Sequence, residues 1–259
     1  MEVRIYHDAD SLGAAASRKC AQIINRAIVE NGEARIILST GASQFETLSH
    51  LVSEDVDWSK VTMFHLDEYV GLPESHAASF RKYLKERFIS KVNLKACHLV
   101  EGRKEQLEEL SRLLCEKPID LGLIGIGENG HIAFNDPPCD FDTQDPYIIV
   151  NLSDTCKRQQ VREGWFADTS EVPSKAVSMS CRQIMKCLNI VSAVPHKVKA
   201  EAVRDTLYSK IVTNTVPATL LKTHEHFTLF LDEESASLID DFARIVDFSS
   251  PAAVVIKGE

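Results

Sequence analysis

The sequence predicts an α/β fold: an open, mostly parallel sheet with helices on both faces, in one domain over residues 1–259. Three observations predict it. Short apolar runs alternate with helical patterns of about ten residues, the rhythm of successive β-α-β units. One such run, Ile119-Asp120-Leu121-Gly122-Leu123-Ile124, reads as a buried parallel strand and ends in Gly125-Ile126-Gly127-Glu128-Asn129-Gly130-His131. A strand that ends in a glycine-rich bend is where an open α/β sheet places its ligand. Finally, no repeat, low-complexity tract or linker divides the chain.

Taken in order, Val3 to Tyr6 is a short strand, and Asp10 or Ser11 caps a long helix running to about Glu30, which Asn31-Gly32 ends. Arg35 to Leu38 is the next strand, and Ser39-Thr40-Gly41-Ala42-Ser43 turns the chain into a helix over Gln44 to Ser53. Val61 to Leu66 is a strand leading into Asp67-Glu68-Tyr69-Val70-Gly71-Leu72-Pro73; helices follow over Ser79 to Phe88 and Arg103 to Cys115. Beyond the glycine-rich bend, Pro138 to Tyr147 reads as a loop beside the site. Tyr147 to Leu152 and Val177 to Met179 look like strands, with a polar helix at Asp154 to Arg162 between them. Leu188 to Val194 is an apolar strand leading to Pro195 and a helix from Lys197 to Tyr208. Phe227 to Leu231 is a late strand, Glu233 to Phe242 a late helix, and Ala253 to Ile256 closes the sheet.

The formal net charge of −9 argues against nucleic acid as a partner, since binding a phosphate backbone needs a basic surface. It leaves room for an anionic small molecule, which a few local donors can hold. No apolar run reaches the ~20 residues of a membrane span, and the N-terminus lacks the apolar core of a signal peptide. The seven cysteines are scattered, odd in number and free of any CxxC pair, which points to reduced thiols in a cytoplasmic protein. The oligomeric state is open, a homo-oligomer included.

Four features carry chemistry. Ser39 to Ser43 lies between a strand and a helix. Its hydroxyls and the amides at the helix start can hold an anion, or Ser43 can simply cap the helix. It is not a Walker A loop, because no Gly-Lys-Ser/Thr follows. Asp67-Glu68 directly follows a strand, so one carboxylate projects over the carboxyl edge of the sheet as a general base, or both acids solvate and cap the loop. His65 and Asp67 lack a third ligand and make no metal site. His131 is either a satisfied core histidine or a proton shuttle; glycines around the turn and Asp136 five residues on favour the shuttle. Lys157, Arg158, Arg162, Lys197 and Lys199 are candidate phosphate ligands or solvated charges.

Asp67-Glu68-Tyr69-Val70-Gly71-Leu72-Pro73 with Gly130-His131-Ile132-Ala133-Phe134-Asn135 resembles the glucosamine-6-phosphate deaminase family. The order of Ser39 to Ser43, these two motifs, Lys199-Ala200 and Pro217 to Leu221 is similar over essentially the whole chain. The resemblance implies a Rossmann-like fold and conversion of an aminosugar 6-phosphate to a ketose 6-phosphate and ammonia, with no metal or redox cofactor. It implies His131 as the ring-opening acid/base and Asp67 as the base that moves a proton between C2 and C1. Ser39, Thr40, Gly41, Ala42 and Ser43, with Lys199 and one of Arg158 or Arg162, would hold the phosphate.

Two positions depart from the family pattern. Asn129 stands where the family carries aspartate, and Asp136 stands where it carries glutamate, one methylene longer. Galactosamine-6-phosphate isomerases resemble the Asn-Gly-His form, so the particular aminohexose is open. Two other readings share the fold. A 6-phosphogluconolactonase resembles Asp-Glu-Arg where this chain has Asp67-Glu68-Tyr69, and it lacks the Ala-Phe-Asn-Asp-Pro continuation. Sugar-phosphate-sensing domains usually add a helix-turn-helix segment, whereas this sequence opens directly on the first strand.

Overall fold

Parallel strands covered on both faces are mostly apolar, and the central strands of this chain largely follow that pattern. The computed structural model describes residues 1–245, 247 and 254–258, apart from the side chains of Lys104 and Lys257. Its first half contains β1 (Glu2–Tyr6), α1 (Ala9–Asn31), β2 (Ala34–Leu38), α2 (Phe45–Leu51), β3 (Val61–His65), β4 (Asp67–Tyr69), α3 (Phe80–Arg87), β5 (Ala96–His98), α4 (Lys104–Cys115) and β6 (Leu121–Leu123). The second half contains β7 (Tyr147–Asn151), α5 (Asp154–Arg162), β8 (Lys175–Met179), α6 (Cys181–Ile184), β9 (Ile190–Val194), α7 (Ala200–Tyr208), β10 (Phe227–Asp232) and β11 (Val254–Lys257).

Eight strands form one parallel sheet in the order β11-β1-β10-β9-β6-β2-β3-β5. Every residue of β2, β9 and β10 is buried. On one face Leu12, Ala16 and Ile24 of α1 and Leu48 of α2 pack on Ile36, Leu38, Met63 and Leu121. On the other, Leu110 and Leu114 of α4 and Val203 and Leu207 of α7 pack on Ile37, Phe64, Leu229 and Leu231. Among the described residues no helix is long and apolar enough to cross a membrane.

The expected helix cap shifts by two or three residues. Asp8, not Asp10 or Ser11, is the N-cap of α1: its carboxylate accepts from Ser11 N, while Ser11 Oγ accepts from Asp8 N. Such a reciprocal box contributes about 1 kcal/mol. Gly32 closes the helix at φ 77°, as its sequence position implies.

Two expectations change. The strands at 147–151 and 175–179 do not join the main sheet. They pair antiparallel with each other, and β8 pairs with β4, giving a second sheet in the order β4-β8-β7. It covers its own cluster of Tyr69, Phe134, Leu152 and Phe166. The late helix at 233–242 is replaced by turns, because Asp232 accepts from Ser235 N and its own N–H bonds Ser235 Oγ, closing a tight bend; a short 3-10 turn follows at Phe242–Arg244. Ala253 lies outside the described residues, while Val254–Lys257 pairs with β1 at the sheet edge.

Candidate active site

Four neighbouring strands, β9, β6, β2 and β3, end side by side, and the loops leaving their carboxyl ends line one cleft. β2 delivers Ser39 to Ser43, β3 delivers Leu66 and Asp67, β6 delivers Gly125 to Glu128 and His131, and β9 delivers His196, Val198 and Lys199. This is where a sheet of this kind binds ligands.

The histidine loop is a tight turn. Gly127 N donates to His131 O at 2.8 Å, and Gly130, at φ 78°, donates back to Gly127 O. The imidazole lies directly against Gly127, where an added Cβ would stand 2.1 Å from Cε1 and 2.2 Å from Nε2. Asn135 clamps the loop to the second sheet: its Nδ2 donates to Ile132 O, Ser178 Oγ and Met179 O. Ser178 Oγ also accepts from Phe134 N.

His131 Nδ1 faces two acceptors, Asn129 Oδ1 at 2.6 Å and Asp136 Oδ1 at 3.2 Å. Nδ1 therefore carries a proton, and Nε2, which has no partner among the described residues, is the nitrogen left for the cleft. Asn129 Nδ2 donates to Asp136 Oδ1 at 3.4 Å, and Ser153 Oγ donates to Asp136 Oδ2 at 2.6 Å. Burial pushes the Asp136 carboxyl up, but the hydrogen bond and charge of His131, with Ser153 and Asn129, outweigh it and hold the group below the ordinary range.

Asp67 and Glu68 have different surroundings. Glu68 is wholly buried and accepts from Tyr69 N, Phe80 N, Ser79 Oγ, Arg81 N and Arg81 Nε, so it fastens the start of α3. Asp67 is 6 % exposed, lines the cleft and hydrogen-bonds nothing through its side chain among the described residues. Burial, and then the adjacent Glu68 charge, push its carboxyl well above the usual range. His65 is buried with its imidazole lowered to about 3 by burial and by Arg81; its Nδ1 accepts from Val100 N, so it is a core histidine.

The hydroxyl loop is not a helix cap. Ser43 accepts from Gln44 Nε2, and α2 starts without a side-chain cap. Gly41 turns the loop at φ 100°, its carbonyl held by the Tyr83 hydroxyl at 2.9 Å. Ser39 Oγ is buried without a partner among the described residues. Lys199 is 7 % exposed, and its ammonium has no hydrogen bond among the described residues. Burial lowers it most; Glu163 raises it and Arg162 lowers it.

The structure thus gathers Ser39, Thr40, Gly41, Ala42, Ser43, Asp67, His131 and Lys199 in one cleft, with Asn129 and Asp136 behind the histidine. It does not bring Arg158 there: that side chain is exposed and bonds Thr155 Oγ1. Arg162 is exposed and pairs with Glu128, which lines the cleft.

Sequence reasoning missed Gln159, Gln160, Glu163 and Trp165, which form a wall of the same cleft. The signal was present. Cys156, Gln159, Gln160 and Glu163 fall at i, i+3, i+4 and i+7, an inward helical stripe, while Arg158 and Arg162 fall outside it. His196, also missed, sits at φ 80°, its N–H held by Asp232 Oδ2 at 2.8 Å.

Comparison with known proteins shows the family to which the chain belongs. The family model described as glucosamine-6-phosphate isomerases/6-phosphogluconolactonase matches residues 7–230. The chain is 36% identical over 236 residues to a glucosamine-6-phosphate deaminase of Thermoanaerobacter sp. (strain X514), covering 87% of this chain and 91% of that one. It is 34% identical over 214 residues to the enzyme of the same name from Streptococcus pneumoniae (strain Hungary19A-6), covering 81% and 89%. A solved monomeric glucosamine-6-phosphate deaminase superposes with a TM-score of 0.83 at 28% identity, covering 92% of this chain and 100% of that one. A 6-phosphogluconolactonase from Trypanosoma brucei superposes at 0.73 with 18% identity, covering 91% and 97%, a likeness of fold. With a family model spanning most of its length and relatives above a third identical, the chain belongs to the glucosamine-6-phosphate isomerase/6-phosphogluconolactonase family.

Proposed function

We propose that the cleft converts glucosamine 6-phosphate, or a close aminohexose 6-phosphate, to the ketohexose 6-phosphate and ammonia. The observation that carries this reading is the pairing of Asp67, a buried carboxyl without a side-chain partner among the described residues, with the His131–Asp136 pair in one cleft. An aldose–ketose isomerisation needs a base for a carbon-bound proton and a separate group that can both take and return a proton at oxygen.

The amides and hydroxyls of Ser39 to Ser43 and the Lys199 ammonium hold the phosphate, as a donor-rich loop and a buried cation suit a dianion. His131 Nε2 takes the proton from the C1 hydroxyl and returns it to the ring oxygen as the pyranose opens. Asp136, acting through Nδ1–H, stabilises the imidazolium in between and fixes its orientation. Asp67 then removes the proton from C2 and delivers it to C1, while the C1 carbonyl oxygen gains the proton that the C2 nitrogen gives up. The nitrogen at C2 becomes an imine, which water hydrolyses to the ketone with release of ammonia. A carboxyl held above its ordinary range by burial is a stronger base for the C2 proton than an exposed aspartate.

Residues from Ser39 to Lys199 reach the cleft, which supports treating 1–259 as one domain. A cytoplasmic setting belongs to the same reading; its support is the scatter of seven cysteines in the sequence. The test is to incubate the purified protein separately with glucosamine 6-phosphate, galactosamine 6-phosphate and 6-phosphogluconolactone. Ammonia release from an aminosugar is expected; lactone hydrolysis without any ammonia release overturns the reading.

A further inference from the structure

The wall formed by α5 contains two glutamines that are more than nine-tenths buried, Gln159 at 7 % and Gln160 at 6 % exposed, and both line the cleft. Neighbours fix the direction of each amide. The Tyr69 hydroxyl lies 2.6 Å from Gln160 Oε1. Tyr69 is 1 % exposed, and burial first, then nearby Cys156, Asp67, Glu163 and Glu68, push its phenol well above the usual range, so the hydroxyl keeps its proton and needs an acceptor. The Gln160 oxygen therefore turns toward Tyr69. Its Nε2, with two N–H donors, has no partner among the described residues.

Gln159 is set the opposite way. Its Nε2 donates to Glu163 Oε1 at 2.7 Å, and a carboxylate can only accept. The Gln159 carbonyl is left without a partner among the described residues. Glu163 is itself held by the Trp165 indole, whose Nε1 donates to Oε2 at 3.1 Å. One cleft wall thus presents a donor from Gln160 beside an acceptor from Gln159, each locked by a second residue.

Neither free amide atom is among the sealed, unpartnered polar atoms of the described residues, so both open to the cleft, where a ligand group can take the place of water. In the reading proposed above, His131 and Asp67 take C1, C2 and the ring oxygen, while the hydroxyl loop and Lys199 take the phosphate on C6. The polar groups of an aminohexose 6-phosphate that remain are the hydroxyls on C3 and C4. We propose that Gln160 and Gln159 read this vicinal diol, Gln160 donating to one oxygen and Gln159 accepting from the other hydroxyl, and that they thereby select among aminohexose epimers. The inference rests on the proposed function.

The test measures kcat/KM for glucosamine 6-phosphate, its 3-deoxy and 4-deoxy analogues and the C4 epimer galactosamine 6-phosphate. It uses the wild type and the Gln159→Met, Gln160→Met and Tyr69→Phe variants. The wild type should disfavour at least one deoxy analogue by roughly 100-fold or more, since a site built to bond a hydroxyl rejects a substrate lacking it. Each glutamine variant should lose roughly 3- to 30-fold on the parent sugar while its parent-to-deoxy ratio narrows toward unity. Tyr69→Phe keeps the ring packing and leaves every cleft side chain in place, yet frees the Gln160 amide; it should narrow the same ratio as Gln160→Met, to a smaller extent. Inhibition by inorganic phosphate should be unchanged in all three, which separates loss of diol reading from loss of fold. Ratios equal to wild type in folded variants that still deaminate overturn the inference alone. Failure of the wild type to deaminate any aminohexose phosphate overturns the functional reading and this inference with it.

Discussion

His131 Nδ1 lies 3.2 Å from Asp136 Oδ1, and Asn129 bridges the two, accepting from the imidazole at 2.6 Å and donating to the carboxylate at 3.4 Å. The amide at position 129 does what a carboxylate could not, since a second acid there would face Asp136 with like charge. The shorter side chain of Asp136 still reaches the ring because Ser153, the N-cap of α5, holds its other oxygen. Both departures from the family pattern are therefore accommodated within one hydrogen-bonded triad.

Asp136→Asn is expected to lower kcat by roughly 100-fold or more, as loss of an imidazole's carboxylate partner does in Ser-His-Asp sites. The stability effect has a definite sign. Asp136 is held below its ordinary range in the fold, so its contribution is present above the unfolded pKa and is lost as pH falls through the folded value. The variant should melt below wild type at neutral pH, and the gap should close under strongly acidic conditions. Thermal melts at a series of pH values check this; a gap independent of pH would count against an ionised Asp136.

Asp67→Asn should abolish exchange of the C2 hydrogen with deuterium and reduce turnover by roughly 100- to 10,000-fold, the range for loss of a general base. Phosphate binding should stay near wild type. The folded carboxyl is raised, so the native state holds its proton more tightly than the unfolded chain, and stability falls as pH rises from the unfolded value through the folded one. Removing the charge should then raise the melting temperature at pH 8 and leave it little changed at pH 4. Retained exchange would remove Asp67 from the base role.

Gly127→Ala tests whether the imidazole must lie against that backbone. The new Cβ would stand 2.1 to 2.4 Å from three imidazole atoms, closer than any real contact, so the ring must move. Because Nδ1 is held by Asn129 and Asp136, movement breaks that pair. Turnover should drop by roughly 100-fold or more, a loss comparable to removing an acid/base group, with inorganic phosphate inhibition unchanged. Wild-type turnover in this variant would mean the ring has room the structure does not show.

The main sheet was legible because strands buried on both faces read as unbroken apolar runs, as Ala34–Leu38 and Phe227–Asp232 nearly do. The second sheet was not. Asp67–Tyr69 is three polar or amphipathic residues whose partners lie more than a hundred positions along the chain, and no local pattern announces such a pairing. In the site, Asp67, His131 and the hydroxyl loop were readable because glycines and strand ends mark them. Gln159 and Gln160 were not, because a polar residue on a helix is ordinarily solvated, and only the cleft makes their inward stripe meaningful.

Lys199 supplies the last expectation. Burial lowers its ammonium below the ordinary lysine range, so the cation is lost at a lower pH than for an exposed lysine. Phosphate binding should therefore weaken as pH rises through that lowered value, giving kcat/KM an alkaline limb. Lys199→Met keeps the stem and removes the charge; KM should rise by roughly 10- to 100-fold, the worth of a hydrogen bond to a charged group, with kcat changed far less. The alkaline limb assigned to Lys199 should disappear in the variant. Because a buried cation opposes folding while it remains protonated, the same substitution should raise the melting temperature at neutral pH. A variant with wild-type KM and an intact limb would show that the phosphate is held by the Ser39 to Ser43 loop without this ammonium.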